Sequence, residues 1–133
     1  MPQTARPRSP HILIYRLQFT TLLSGLHRIS GVALVVGTLL LIALLLALAA
    51  GPGPYAKVQA FCSSWIGLFM LFGWSWCLCY HLCNGIRHLG WDVGRGYEIP
   101  RAKQTGWIVV VVSAALTLLI WACVIAQLRG SAS

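Results

Sequence analysis

The chain has 133 residues, of which 58% are hydrophobic and 9% charged, with a mean hydropathy of +0.77 and a net charge of +8. This balance excludes a water-soluble domain and belongs to an integral membrane protein. The excess of Lys and Arg is no sign of nucleic acid, because in such a chain basic residues act first as topology signals.

Residues 1–10 contain Pro2, Pro7 and Pro10, which forbid a regular helix. They read as a cytoplasmic arm. His11 to Leu17, built around Tyr15 and Arg16, has the mixed aromatic and basic character of a segment lying in the membrane interface. Arm and interfacial segment together are assigned residues 1–28. At their end Ser24, His27, Arg28 and Gly31 recur at i, i+3, i+4 and i+7, so a hydroxyl, an imidazole and a guanidinium share one helical face beside a glycine.

The first apolar run, Ile29 to Ala50, exceeds the roughly 20 residues a helix needs to span the hydrocarbon. It ends in Ala47-Leu48-Ala49, the small-residue pattern of a cleavage site, but it is much longer than the roughly 7–15 apolar residues of a secretory signal. A span is therefore expected, not a leader. Gly51-Pro52-Gly53-Pro54 should break the helix, and the short loop to Ala60 makes the first two spans antiparallel neighbours.

The second run, Phe61 to Asn84, carries Trp74, Trp76 and Tyr80 toward its inner half, where they read as packing or belt aromatics. Cys62, Cys77, Cys79, Cys83 and Cys123 all fall within predicted spans and read as apolar packing rather than a disulfide framework. Cys77, Cys79 and Cys83 with His81 make a poor metal set, since Cys77 and Cys79 project from different sides of a helix. From Val93 to Gly106 the glycines and Pro100 indicate a loop. The third run, Trp107 to Leu128, has no ionisable side chain and reads as a packing helix. The whole chain, residues 1–133, is thus predicted to be one all-α domain with three transmembrane helices, 29–50, 61–84 and 107–128.

Orientation follows from the basic residues. Arg6, Arg8, Arg16 and Arg28 precede the first span, Lys57 stands alone in the first loop, Arg87, Arg95, Arg101 and Lys103 follow the second span, and Arg129 lies in the tail. This alternation places the N-terminus and the second loop on the cytoplasmic side of a bacterial inner membrane, or on the matrix side of the mitochondrial one.

One stretch departs from a generic membrane helix. His81, Gly85, His88 and Asp92 recur at i, i+4, i+7 and i+11, a single stripe of ionisable groups with a glycine notch. A charge in the hydrocarbon costs roughly 2.5–3.5 kcal/mol even on the lenient insertion scale, so such a stripe faces a partner, a cofactor or water. A neutral imidazole suits axial ligation of a haem, and His27, Arg28, Arg87 and His88 are available to its propionates at the same membrane level. His81 supplies one axial bond. His88 cannot supply the other, as it lies about 10.5 Å further along the same helix. His27 or another polypeptide must do so.

Three linked motifs carry a family resemblance. Arg6-Pro7-Arg8-Ser9-Pro10-His11 with Tyr15, then Ser24 with His27-Arg28-Ile29-Ser30-Gly31, then His81 with Gly85-Ile86-Arg87-His88 and Asp92, resemble the large cytochrome b membrane-anchor subunit of succinate dehydrogenase, the succinate:quinone oxidoreductase of the respiratory chain. The resemblance implies one haem b, with His81 as an axial ligand and a histidine of a small anchor subunit as the other. It implies that His27 and Arg28 lie by the propionates, that Ser24 and Arg28 line a ubiquinone pocket, and that flavoprotein and iron–sulfur subunits dock on the cytoplasmic face. It assigns no role to Cys77, Cys79 or Cys83. The chain itself has no flavin motif and no soluble iron–sulfur cysteine spacing, so it is not expected to oxidise succinate alone. Two other readings are a proton or metal transporter using His81, His88 and Asp92, and a structural anchor without haem. Transport calls for polar groups at several depths, whereas here they gather at one side.

Overall fold

The computed structural model describes residues 17–130, so the proline-rich arm, the first motif and most of the interfacial segment lie outside the described residues. Within them are four helices: α1 Phe19–Ala50, α2 Pro52–Ser63, α3 Trp65–Asp92 and α4 Ile99–Gly130. No strand occurs among the described residues. Three of the helices, α1, α3 and α4, are long and apolar enough to cross a membrane.

The helices outrun the expected spans. α1 begins at Phe19 rather than Ile29 because nothing in Phe19–Arg28 breaks it; Thr20, Thr21, Ser24, His27 and Arg28 lower its hydropathy but not its helicity. Its 32 residues extend about 48 Å against a hydrocarbon slab of about 30 Å, so one end must project into the interface. The first loop is itself helical. Gly51 alone ends α1, with φ of 108°, a conformation that glycine adopts without strain. Pro52 and Pro54 then sit in the first turn of α2, where a missing N–H costs nothing. Ser64, in an extended conformation, separates α2 from α3, and its Oγ accepts the Gly67 N–H at 3.1 Å as an N-cap. Likewise α4 starts at Ile99, with Pro100 in its first turn, well before the expected Trp107.

α3 packs against both α1 and α4, and α1 also touches α4. The buried core is small and lies toward the end of the bundle where α1 and α4 begin and α3 finishes. Leu23, Tyr80 and Val109 meet there, flanked by Phe19, Leu26, Trp76, Cys83 and Val110. Tyr80, expected only to pack, also donates a buried hydrogen bond to the Leu23 carbonyl at 2.8 Å. Elsewhere the flanks are apolar and open, with Val32, Val35 and Leu39 on α1 and Ile108, Val111 and Leu118 on α4 exposed. Each such side chain gains roughly 1.5–3 kcal/mol on leaving water, so this surface belongs in hydrocarbon or against another polypeptide.

Arg87 joins α3 to α4. It is 8% exposed, and its guanidinium donates to the Thr105 hydroxyl at 3.1 Å, the Asn84 side-chain oxygen at 3.3 Å and the Ala102 carbonyl at 2.9 Å, while lying 4.1 Å from the Trp91 ring. Its role differs from the one expected, because it faces α4 and not the stripe shared by His81 and His88. Replacing it with Met keeps the stem but strands those acceptors at roughly 1–3 kcal/mol each. Arg87→Met should therefore lower the thermal unfolding midpoint of the detergent-solubilised protein clearly, and an unchanged midpoint would contradict the latch.

Candidate functional site

The site is assembled where α1 crosses α3. His27, one turn before Gly31 on α1, lays its ring on that of His81 on α3, with centroids 3.9 Å apart and planes 11° from parallel. His88, two turns beyond His81, tilts against the other member of the pair, 5.1 Å from the His27 ring. Three imidazoles thus cluster at the core end of the bundle. Asp92, expected on the same stripe, is the last residue of α3, exposed, and makes no contact with them.

The approach of the helices depends on Gly31. A Cβ there would stand 3.1 Å from His81 Cε1, so any larger residue would press on the imidazole. Beside it Ser30, 2% exposed, donates its hydroxyl to the His27 carbonyl at 2.8 Å and has its Oγ 3.1 Å from His81 Nδ1. The same His27 carbonyl lies 3.2 Å from that nitrogen. Nδ1 of His81 is therefore bonded inside the protein, whereas its Nε2 makes no hydrogen bond to any described residue. His27 Nδ1 is buried and has no partner among the described residues.

The His27 and His81 rings lie face to face with centroids 3.9 Å apart, so no group stands between them in this arrangement. Around Gly85 the picture is the reverse, since a Cβ there would meet nothing within 4 Å and the notch is open. Further along the same face of α3, a cavity of about 300 Å³ lies between α1 and α3, lined by Ala33, Gly37, Met70, Gly73, Trp74 and Cys77. Its wall includes the Trp74 indole packed directly on Gly37, with its N–H buried and unpartnered among the described residues.

Ser24 and Arg28 are placed on α1 beside His27, Ser24 half-buried and Arg28 exposed, and neither makes a hydrogen bond or ion pair to a described residue. The structure thus brings His27, His81 and His88 together and leaves Ser24 and Arg28 presented outward next to them. All five cysteines are free thiols, and among the described residues no three His, Cys, Asp or Glu side chains are placed to share a metal ion. Sequence reasoning missed Ser30 and Asn84. Ser30 was visible three residues after His27, but only the position of α3 shows what it faces; Asn84, 0% exposed, looked like the polar end of a span.

The chain as a whole matches a known family. Residues 2–120 match the model of the succinate dehydrogenase/fumarate reductase transmembrane subunit. The chain is 47% identical over 116 residues to the succinate dehydrogenase cytochrome b556 subunit of Rickettsia prowazekii, covering 87% of this chain and 90% of that protein. It is 40% identical over 119 residues to the corresponding subunit of Paracoccus denitrificans, covering 87% and 92%. With the mitochondrial cytochrome b560 subunit of Sus scrofa the identity is 40% over 115 residues, or 81% of this chain and 65% of that one. Matches of this extent, on a bundle with three long apolar helices, show that the chain belongs to the succinate dehydrogenase/fumarate reductase transmembrane subunit family, with the succinate dehydrogenase cytochrome b subunits of the respiratory chain.

Proposed function

We propose that this chain is the haem b-binding anchor that attaches the flavoprotein and iron–sulfur subunits of succinate dehydrogenase to the membrane and helps to form the site where ubiquinone is reduced. One observation carries the reading: His81 sits at a helix crossing with Nδ1 bonded to the protein and Nε2 without a partner among the described residues, the state of an imidazole prepared to ligate iron. The open notch at Gly85, the unpartnered Nδ1 of His27 and the apolar cavity along the same face all fit a buried macrocycle with acidic groups at one edge. When bound, haem b would supply a one-electron reservoir beside the route to quinone.

The placement of the chain's own residues supports a role for each. His81 gives one axial nitrogen. A histidine of the small anchor subunit would supply the second, a division that the stacking of His27 on His81 supports. His27 and Arg28 lie at the level suited to the propionates, and Arg28 as a fixed cation balances their charge. Ser24 and Arg28, presented outward on one face of α1, form the protein wall of the quinone pocket. Ser24 donates a hydrogen bond to a quinone carbonyl oxygen, and Arg28 stabilises the negative charge that develops as electrons arrive one at a time from the iron–sulfur subunit. The N-terminus and the α3–α4 loop face the cytoplasm, or the matrix in a mitochondrion, which brings this site to the soluble subunits.

A transport pathway finds no support in the interior. The buried hydroxyls deeper in α4, Ser113 and Thr117, bond back to the Val110 and Ser113 carbonyls of their own helix and form no relay with the imidazoles. A reduced-minus-oxidised optical spectrum of the purified complex tests the reading. Bands of a b-type haem are expected, and a complex assembled at full stoichiometry without them would leave a structural anchor.

A further inference from the structure

We infer that Ser30 is a positioning residue for His81: with the His27 carbonyl, its hydroxyl fixes the proton on Nδ1, orients the ring and so sets the ligand strength of Nε2. The inference rests on the reading of His81 as a haem ligand and adds a residue that this reading leaves without a role.

The hydrogen-bond pattern around Nδ1 is best satisfied by one tautomer. A carbonyl oxygen only accepts, so the His27 carbonyl, 3.2 Å from Nδ1, requires a donor there. The Ser30 hydroxyl has its own proton directed to that carbonyl at 2.8 Å, which leaves Oγ facing Nδ1 at 3.1 Å with lone pairs. Two acceptors therefore converge on one nitrogen. Were Nδ1 unprotonated, the Ser30 hydroxyl would be the one side-chain donor facing two acceptors, Nδ1 and the His27 carbonyl, and could serve only one of them at a residue only 2% exposed. The proton belongs on Nδ1, and the lone pair of the neutral imidazole is at Nε2.

The ring is held as well as protonated. His27 covers one face at 3.9 Å, and Gly31 admits the Cε1 edge so closely that even a methyl group would stand 3.1 Å away. With rotation restricted on two sides, the shared bond at Nδ1 determines the direction of Nε2. An imidazole whose N–H donates to good acceptors is a stronger donor to the metal and favours the more oxidised iron. Loss of the Ser30 hydroxyl removes one of two acceptors and frees the His27 carbonyl from its competing donor, so the ring loosens and its field on iron weakens.

The rival role for Ser30 is local. A serine that bonds back to a carbonyl three residues earlier can simply satisfy that carbonyl within α1. That role would affect stability and leave the haem potential alone. The decisive experiment compares wild type, Ser30→Ala, Ser30→Thr and His81→Ala in the whole complex, with potentiometric titration of the haem, its low-temperature electron paramagnetic resonance spectrum and subunit stoichiometry. Ser30→Ala should retain assembly, shift the haem midpoint potential upward and move the low-spin signals, and Ser30→Thr, which keeps the hydroxyl, should restore both. Haem lost from Ser30→Ala but kept in Ser30→Thr supports the same conclusion. A wild-type potential in Ser30→Ala, an equal shift in both serine variants, or loss of haem from both would overturn it. If instead the wild-type complex lacks haem, or His81→Ala keeps an unaltered low-spin haem, the ligand reading itself fails, which the same series separates from failure of Ser30 alone.

Discussion

His81→Ala should abolish the low-spin haem. Deleting the imidazole removes an axial nitrogen outright, a larger loss than the roughly 10- to 100-fold in metal affinity that follows removal of a mere outer-shell partner. No neighbour stands ready to replace it. His27 is oriented face-on to the space the ring vacates, and His88 is held 5.1 Å from the His27 ring and in edge contact with Trp91, 5.0 Å between centroids. The variant should lose haem or retain it in a high-spin form on the partner subunit's ligand alone. Added imidazole, small enough to enter the cavity left beside Gly31, should restore part of the low-spin spectrum. An unchanged spectrum in His81→Ala would refute the assignment.

The second large effect is expected of Arg28→Leu. Arg28 is exposed on α1 with no carboxylate or hydrogen-bond partner among the described residues, so its removal should leave the bundle intact, unlike that of the buried Arg87. Leucine keeps much of the bulk while deleting a permanent charge and a planar set of donors that even lysine imitates poorly. A preorganised donor aimed at developing negative charge is worth on the order of 10²–10³ in rate. Quinone reduction should fall by about that factor, while succinate oxidation with an artificial acceptor at the soluble subunits persists. An equal fall in both activities would make Arg28 an assembly residue instead.

Much of this architecture was legible because membrane helices write themselves in long apolar runs, and three such runs became α1, α3 and α4. Their ends were legible only in part: α1 stops at Ala50 as expected, whereas the starts of α1 and α4 and the end of α3 run beyond the apolar windows. Hydropathy marks where side chains turn polar, whereas a helix stops only where the backbone is forced to, as at Gly51 with its positive φ. Phe19 to Arg28, Gly85 to Asp92 and Ile99 to Gly106 are polar enough to leave the apolar windows yet remain helical. The break expected at Gly51-Pro52-Gly53-Pro54 does end α1, but Pro52, Pro54 and Pro100 then occupy the first turns of new helices, where they are tolerated, in segments expected to be loops.

The candidate site divides along similar lines. Periodicity within one helix placed His81 and His88 on a common stripe and His27 beside Gly31, and these are the groups that meet at the α1–α3 crossing. Periodicity says nothing of the register between helices, so the contact of Ser30 Oγ with His81 Nδ1 is not legible in the motif that contains Ser30. Arg87 shows the converse error. One position before His88, it was grouped with the charges near the haem, but that single residue turns it by about 100° around the helix and into the α4 interface.

The central claim is that one chain supplies one haem ligand and a second chain the other, and the most direct measurement is the haem ligation state of this polypeptide expressed with and without the small anchor subunit. His81 Nε2 has no hydrogen-bond partner among the described residues, and the rings of His27 and His81 lie stacked with centroids 3.9 Å apart. The outward face of α1 with Ser24 and Arg28 is also open, and polar groups left against hydrocarbon cost several kcal/mol in total unless another subunit covers them. Near-infrared magnetic circular dichroism should report bis-histidine low-spin haem in the co-expressed complex and none in the chain alone. A monodisperse preparation of this chain alone with bis-histidine low-spin haem would contradict the claim and return His27 as the second ligand.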